Sequence, residues 1–256
     1  GLKTNGSLDI ILGWCPLRYQ ATPVNFYRSM KLLELTRQLI SIPSISGGEE
    51  AVANFLADYL ERAGFTVQKQ LAAERRPNVY AYRGEPDVVL STHTDTVPPY
   101  IGCSEDDQYI YGRGACDTKG LMAAMLKAAE KLVEANTQDF GLLFVVGEEA
   151  GSVGARVANT IPNRCRYLIN GEPTESKLAL GSKGSLKVVV RATGRAAHSA
   201  YPEMGESAIE KLIDILNDIR SARLPEDKIL GATTINFGFI KGGIASNVIP
   251  PDAEFE

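Results

Sequence analysis

Between Met30 and Gly181, apolar runs too short to be helices alternate with segments of helical periodicity, and that alternation limits the chain to a layered α/β fold. Leu32, Leu33, Leu35, Leu39 and Ile40 fit a short amphipathic helix that stops at Ile42-Pro43, because proline disfavours a helical residue before it. Val52, Phe55, Leu56, Tyr59 and Leu60 follow helical spacing and predict a second helix, ended by Gly64. A third is predicted over residues 119–134, with Leu121, Met125, Leu132 and Val133 inward. Strand-like runs cover 78–82 and 88–92, and buried strands are expected at 142–146 and 167–169. Together they predict a mainly parallel sheet in a three-layer domain over residues 30–181.

The texture changes near Ser182. A partly polar strand at 185–193, an amphipathic helix at 205–220, a strand at 232–239 and a Gly242-Gly243 turn predict a small α+β domain over 182–256. The chain stops at Glu256 in what reads as a further strand, so this domain is expected to be incomplete. Residues 1–29 hold Trp14, Cys15 and little periodicity, and are set aside as an N-terminal extension.

Composition narrows the function. A net charge of −4 without a basic patch argues against a nucleic-acid partner. No apolar run approaches the roughly 18 residues of a membrane span. Cys15, Cys103, Cys116 and Cys165 are scattered without a CxxC pair, as expected for reduced thiols in a cytoplasmic protein.

Four clusters of potential ligands stand at the ends of predicted strands, where open α/β sheets place their ligands. The first is Thr92-His93-Thr94-Asp95, in which a carboxylate near an imidazole can fix its tautomer; a capped turn with a surface histidine would look the same. In Gly112-Arg113-Gly114-Ala115-Cys116-Asp117, Asp117 precedes a helix and is either a ligand or an N-cap. Cys116 is read as a small packed residue. Glu148 and Glu149 follow a buried strand, where two adjacent carboxylates are costly unless paired or metal-bound, although an acidic helix start also fits. Glu172 follows another short strand and could belong to a plain turn. Taken together, mixed imidazole and carboxylate ligands suit zinc, with cobalt or manganese possible.

In order and spacing, His93-Thr-Asp95-Thr-Val-Pro, Gly112-Arg-Gly-Ala-Cys-Asp117, Glu148-Glu149 and Gly171-Glu172-Pro-Thr resemble the metallopeptidase family of acetylornithine deacetylase, succinyl-diaminopimelate desuccinylase, aminoacylase-1 and carboxypeptidase G. The resemblance covers about residues 30–256. It implies a catalytic domain followed by a lid and dimerisation domain, two divalent metal ions, and a homodimer formed through the lid. It implies that His93, Asp117 and Glu172 bind one metal, with Asp95 orienting His93, and that Asp117 and Glu149 bind the other. Glu148 would be the general base. His198, in Gly194-Arg-Ala-Ala-His198-Ser, would support the oxyanion, and Asn247 would lie near the substrate. A cis peptide after Asp117 is implied as well.

The implied activity is hydrolysis of an N-acyl amino acid, with acetylornithine-type deacetylation in amino-acid biosynthesis first, or of a small peptide. A non-catalytic metal-binding or interaction module on the same scaffold is the alternative. The family also supplies a last histidine ligand and a substrate-gripping arginine from a C-terminal segment. This chain has only His93 and His198, and no arginine after Arg223. The expectation is therefore of a C-terminally truncated chain that binds its second metal weakly and is inactive or impaired alone.

Overall fold

The computed structural model describes residues 30–161 and 164–256; the extension expected over 1–29 lies outside the described residues. The chain divides into two compact units, with the break between Lys177 and Leu178.

The first unit opens with α1 (Leu32–Ile40) and α2 (Glu50–Arg62), followed by the hairpin β1 (Thr66–Ala73) and β2 (Arg76–Arg83) and by β3 (Val88–His93). A small hairpin of β4 (Ser104–Glu105) and β5 (Ile110–Tyr111) leads to α3 (Gly120–Glu134). Then come β6 (Phe140–Val145), the short α4 (Val153–Ala158) and β7 (Tyr167–Asn170). The sheet order is β1-β2-β6-β3-β7. β3 runs parallel to both β6 and β7, whereas β2 is antiparallel to β1 and β6. The sheet is thus mixed, with its parallel part on the side that carries the ligand clusters. β1 was not foreseen. Its sequence, Thr66-Val-Gln-Lys-Gln-Leu-Ala-Ala, is largely polar, and none of its residues is fully buried.

Alternation along β2 and β6 sends Val79, Ala81, Leu142 and Phe144 to one face of the sheet, where they pack with Leu35 and Leu39 of α1, Leu56 and Leu60 of α2, and Met122 and Leu126 of α3. Each fully buried leucine contributes about 1.5–3 kcal/mol relative to an exposed one. α3 is turned from its expected face: Met122, Ala123, Leu126 and Ala129 are buried, while Leu121, Met125, Leu132 and Val133 are only partly so. It packs between the sheet and α1, so its most buried stripe is the one enclosed on both sides. β7 also differs from expectation. Tyr167, Leu168 and Ile169 are exposed, because β7 pairs only with β3 and forms the sheet edge among the described residues.

The opposite face of the sheet carries α4. Asn78, fully buried in β2, fastens it: its amide donates to the Gly154 carbonyl at 2.8 Å, and its Oδ1 accepts from the Val146 amide at 3.1 Å. Beside α4 lies an open cavity of about 870 Å³, lined by alternate sheet residues such as Tyr80, Tyr82 and Leu143.

The second unit holds β8 (Val190–Thr193), α5 (Ala208–Ser221), β9 (Glu226–Asp227), β10 (Gly231–Ala232), β11 (Ile240–Gly242) and β12 (Asp252–Phe255). Ser207 caps α5 through its hydroxyl, which accepts from the Glu210 amide. A β11-β12-β8 sheet packs Ala192, Ala253 and Phe255 against Ala208 and Leu212. The strand expected over 185–193 is confined to Val190–Thr193, because Val190 pairs with Phe255, the last residue of β12. The strand expected over 232–239 is replaced by the short β9-β10 pair and by β11, which pairs with β12 only from Ile240.

A Cβ on Gly154 would lie 2.4 Å from Asn78 Oδ1 and 2.5 Å from both the nitrogen and the oxygen of Val146. Gly154→Ala is expected to cost about 1–3 kcal/mol through this overpacking. Urea unfolding checks it; a midpoint equal to that of the parent would contradict the close approach.

Candidate metal centre

Three parallel strands bring their carboxyl ends to one side of the sheet. His93 closes β3 opposite Val145 of β6, and Ser91 stands opposite Asn170 of β7. The turns that follow carry Asp95, Glu148 with Glu149, and Glu172. The ladder continues one step past β3, where the Thr94 amide donates to the Val145 carbonyl at 2.8 Å. Asp117 comes from a different element, a π-type turn over Ala115–Lys119 ahead of α3. Its peptide bond to Thr118 is cis, and the Thr118 hydroxyl donates to the His93 carbonyl at 2.7 Å. Gly114 allows the turn to sit this close: its φ is 80°, and a Cβ there would lie 2.7 Å from Thr96 Cγ2.

His93 is buried. Its Nδ1 lies 2.9 Å from the main-chain oxygen of Asp95, an acceptor, so Nδ1 carries a proton and Nε2 is the nitrogen turned to the acidic groups. Nε2 stands 2.9 Å from Asp117 Oδ1 and 3.9 Å from Glu172 Oε2. One ligand atom each from His93, Asp117 and Glu149 lies within 4.8 Å of the others. Glu172 is outside that triad, beside His93. Glu148 is exposed and lines the cavity together with His93 and Glu172.

The Asp95 carboxylate is farther from Nδ1, at 3.5 Å, than its own carbonyl oxygen. Its closer partners are elsewhere. Oδ1 accepts from the Glu148 amide at 2.9 Å, and Oδ2 accepts from the Glu149 amide at 3.2 Å and the Ser46 hydroxyl at 2.6 Å. Burial pushes the Asp95 pKa up, but His93, Ser46 and the Glu148 amide outweigh it and hold the carboxyl below its ordinary value.

The carboxylates around His93 act on one another. Burial, then the negative charge of Asp117, raises Glu149. Burial also raises Glu172, with Asp117 and Glu148 adding to the effect against the opposing pull of His93. For His93, burial favours the neutral ring, yet hydrogen bonds to Asp117 and Asp95 prevail and its pKa is pushed up to about 10. Several carboxylates crowd one imidazole, and a divalent cation would relieve their repulsion. Imidazole nitrogen with carboxylate oxygen is a donor set that zinc accepts, and cobalt and manganese accept it too.

His198 and Asn247 belong to the second unit. The Ala200 amide donates to His198 Nδ1 at 3.1 Å, which leaves the proton of the neutral ring on Nε2. His198 forms a bridge with Val248, and the Ser199 amide donates to the Asn247 carbonyl at 3.0 Å, so the two residues lie on paired segments.

Comparison with known proteins adds the family. A family model for the peptidase dimerisation domain of the M20 type matches residues 180–256, and one for peptidase family M28 matches residues 72–208. A peptidase M20 domain-containing protein of Schizosaccharomyces pombe is 42% identical over 235 residues, covering 88% of this chain and 59% of that protein. A probable carboxypeptidase of Aspergillus clavatus is 40% identical over 250 residues, covering 87% and 60%. The chain therefore spans about three fifths of the length of these relatives. The chain belongs to the M20 peptidase family. The M28 match overlaps the dimerisation domain over residues 180–208; the M20 assignment is preferred because the Schizosaccharomyces pombe relative carries it and its dimerisation model covers nearly all of the second unit. Among solved structures, a tripeptidase from Staphylococcus aureus has a TM-score of 0.62 at 25% identity, covering 88% of this chain and 64% of that one. An M20 family metallo-carboxypeptidase from Sulfolobus solfataricus shares the fold, with a TM-score of 0.61 at 18% identity over 88% of this chain and 70% of that one. No helix among the described residues is long and apolar enough to cross a membrane.

Around this M20 centre stand residues that sequence reasoning did not single out. Lys119 is buried, its ammonium donates to the Ile42 carbonyl, and burial pushes its pKa down to about 7. Ser46, Glu49 and Arg76 also lie beneath the site. None stands in a ligand-like motif. A serine near Gly47-Gly48 reads as a loop, and the ion pair joins residues distant in sequence.

With a pKa near 10, His93 holds its second proton at neutral pH in the metal-free chain. That pairing contributes stability that is fully present below the ordinary value of 6.5 and is lost as pH rises through about 10. A cation must displace the proton from Nε2, so zinc affinity is expected to rise with pH up to about 10. Binding at neutral pH should release about one proton from this ring. Calorimetry in buffers of different ionisation enthalpy measures the release. Pure buffer-independence would contradict the protonated His93.

Proposed function

We propose that this chain carries the catalytic centre of a two-metal peptidase that hydrolyses the amide bond of a small peptide, in the manner of a carboxypeptidase or dipeptidase. The observation that carries the reading is the convergence of His93, Asp117 and Glu149 within 4.8 Å, with Glu148 adjacent in sequence and facing the same cavity as His93. In this reading His93, Asp117 and Glu172 hold one cation, and Asp117 with Glu149 holds the second, zinc fitting best. When bound, the cations polarise the scissile carbonyl and acidify a water.

The chain's own residues supply the proton path and the orientation. Glu148 takes a proton from the water and delivers it to the leaving amine, which suits an exposed carboxylate outside the triad of His93, Asp117 and Glu149. Asp95 holds the Glu148 and Glu149 amides, so the base and the neighbouring ligand move as one turn. For the second unit, the family resemblance supports His198, with its proton on Nε2, as a donor to a developing oxyanion, and Asn247 as a residue for the substrate. The second unit pairs two copies in a closed dimer, a reading supported by its match to a dimerisation domain.

The names of the relatives support a peptide over the N-acyl amino acid and acetylornithine-type substrate that the motifs first suggested. Glu148 supports an enzyme over a passive metal-binding module, which has no use for a general base.

In the complete protein, Glu148→Gln is expected to keep cation affinity close to that of the parent and to lower kcat by about 10²–10⁴-fold. Assays on dipeptides and on N-acetyl amino acids, run side by side, measure both the loss and the preference. Parent-like turnover in the variant would sink the assignment of Glu148. A preference for N-acetyl amino acids would overturn the peptide reading.

His198→Ala is expected to reduce kcat more than KM changes, because an oxyanion donor acts in the transition state. Sedimentation of the same variant should still show a dimer. A monomeric parent, or a variant with full rate, would remove the corresponding role.

A further inference from the structure

The loop between α1 and α2 is tied to the metal-binding turns at point after point. At its start the Ile42 carbonyl accepts from the buried Lys119 ammonium, two residues beyond Asp117. The Ser44 carbonyl accepts from the Thr96 amide, and the Ser46 amide donates to the Thr96 carbonyl, so the loop runs as a short parallel partner to the turn after β3. The Ser46 hydroxyl then reaches Asp95 Oδ2 at 2.6 Å. At the end of the loop Glu49, fully buried, receives two hydrogen bonds from Arg76, at 2.8 and 2.6 Å. The Arg76 guanidinium in turn lies against Gly147: a Cβ there would be 2.7 Å from its Nη2, and Gly147 has a φ of 70°.

We propose that Ser46 is a positioning residue for the metal centre, acting through Asp95, and that the Glu49–Arg76 pair is its counterpart beneath the Gly147–Glu149 turn. The inference rests on the metal reading of His93, Asp117 and Glu149.

The argument turns on what Asp95 Oδ2 would lose. The carboxylate is fully buried, so no bulk water replaces a missing donor. Without Ser46, Oδ2 keeps only the longer bond from the Glu149 amide, at 3.2 Å. The carboxylate is then free to rotate toward His93 Nδ1, now 3.5 Å away. That rotation releases the Glu148 and Glu149 amides and loosens the imidazole at once, so one hydroxyl restrains two ligands that arise from different strands. Arg76 acts from the other side. Its planar fork, held by a buried carboxylate, forms the floor on which Gly147 turns, and an ammonium on a flexible stem would not reproduce that surface.

The test is Co²⁺ titration of the full chain, followed by calorimetry and by visible absorption, which reports ligand geometry directly. Ser46→Ala is expected to weaken Co²⁺ binding several-fold, up to about the tenfold usual for losing a direct partner of a ligand, because it acts one step further out through Asp95, and to alter the absorption bands. Ser46→Thr keeps the hydroxyl; because Ser46 is only partly buried, the added methyl has room, and affinity and bands should return toward the parent. Arg76→Lys keeps the charge and loses the fork, and a several-fold weakening is expected. If the alanine variant does not fold, the lysine variant alone decides, and parent-like binding by it overturns the proposal. A parent that binds Co²⁺ and an alanine variant that binds it with equal affinity and spectrum overturns the proposal while leaving the metal reading intact. Failure of threonine to restore what alanine loses assigns Ser46 a packing role and overturns it too. A parent that takes up no Co²⁺ overturns the metal reading and this inference with it.

Discussion

A carboxylate closed off from solvent needs donors, and the way Asp95 finds them organises the first unit. Its oxygens collect a hydroxyl from the loop after α1 and two amides from the turn after β6, while its own carbonyl takes the Nδ1 proton of His93. These donors come from two other parts of the chain, so satisfying one buried charge fixes both of them relative to Asp95's own turn after β3. The cost of leaving such a group short of partners is far above that of an ordinary surface contact. The ligand turns are held from below by this requirement, and the open side of the site is left to whatever binds there.

That arrangement explains why the upper layer can be so acidic. Asp117, Glu148, Glu149 and Glu172 would drive one another apart on a flexible surface, but they are mounted on strand ends and on the turn at the start of α3. The sheet holds them in place, and burial first, with the neighbouring carboxylates adding to it, raises Glu149 and Glu172. Preorganisation of this kind is what lets a cation bind without the protein rearranging to receive it.

Much of this was legible in the sequence, and the parts that were not share a physical cause. His93, Glu149 and Glu172 stand out because polar groups just after apolar runs are unusual and a parallel sheet gathers strand ends, whereas Asp117 stands out only by its glycine-rich turn before a helix. The helices at 32–40 and 50–62 show their periodicity plainly. β1 escaped because half of an edge hairpin needs little apolar character. The inward face of α3 was misjudged because a helix packed on two sides has no single stripe. The second unit reads as longer strands than it forms, since alternation shows what could pair but not where the partner ends. Ser46 and the Glu49–Arg76 pair were invisible because a hydrogen bond across 49 residues, or an ion pair across 27, has no signature in local pattern.

The parallel ladder has a consequence for how the fold is policed. Side chains in a strand alternate faces, so a slip of β6 or β7 by one residue against β3 would invert every side chain along it and carry the turn beyond it about 3.3 Å out of place. Glu149 and Glu172 would then leave His93, although most of the backbone bonds could be remade. A bound cation stabilises only the state whose ligands converge, in proportion to its affinity for that state alone. Such an ion would therefore gauge strand register: it would reward the one alignment in which the turns after β3, β6 and β7 bring these residues together, and leave the near-native misalignments without its support.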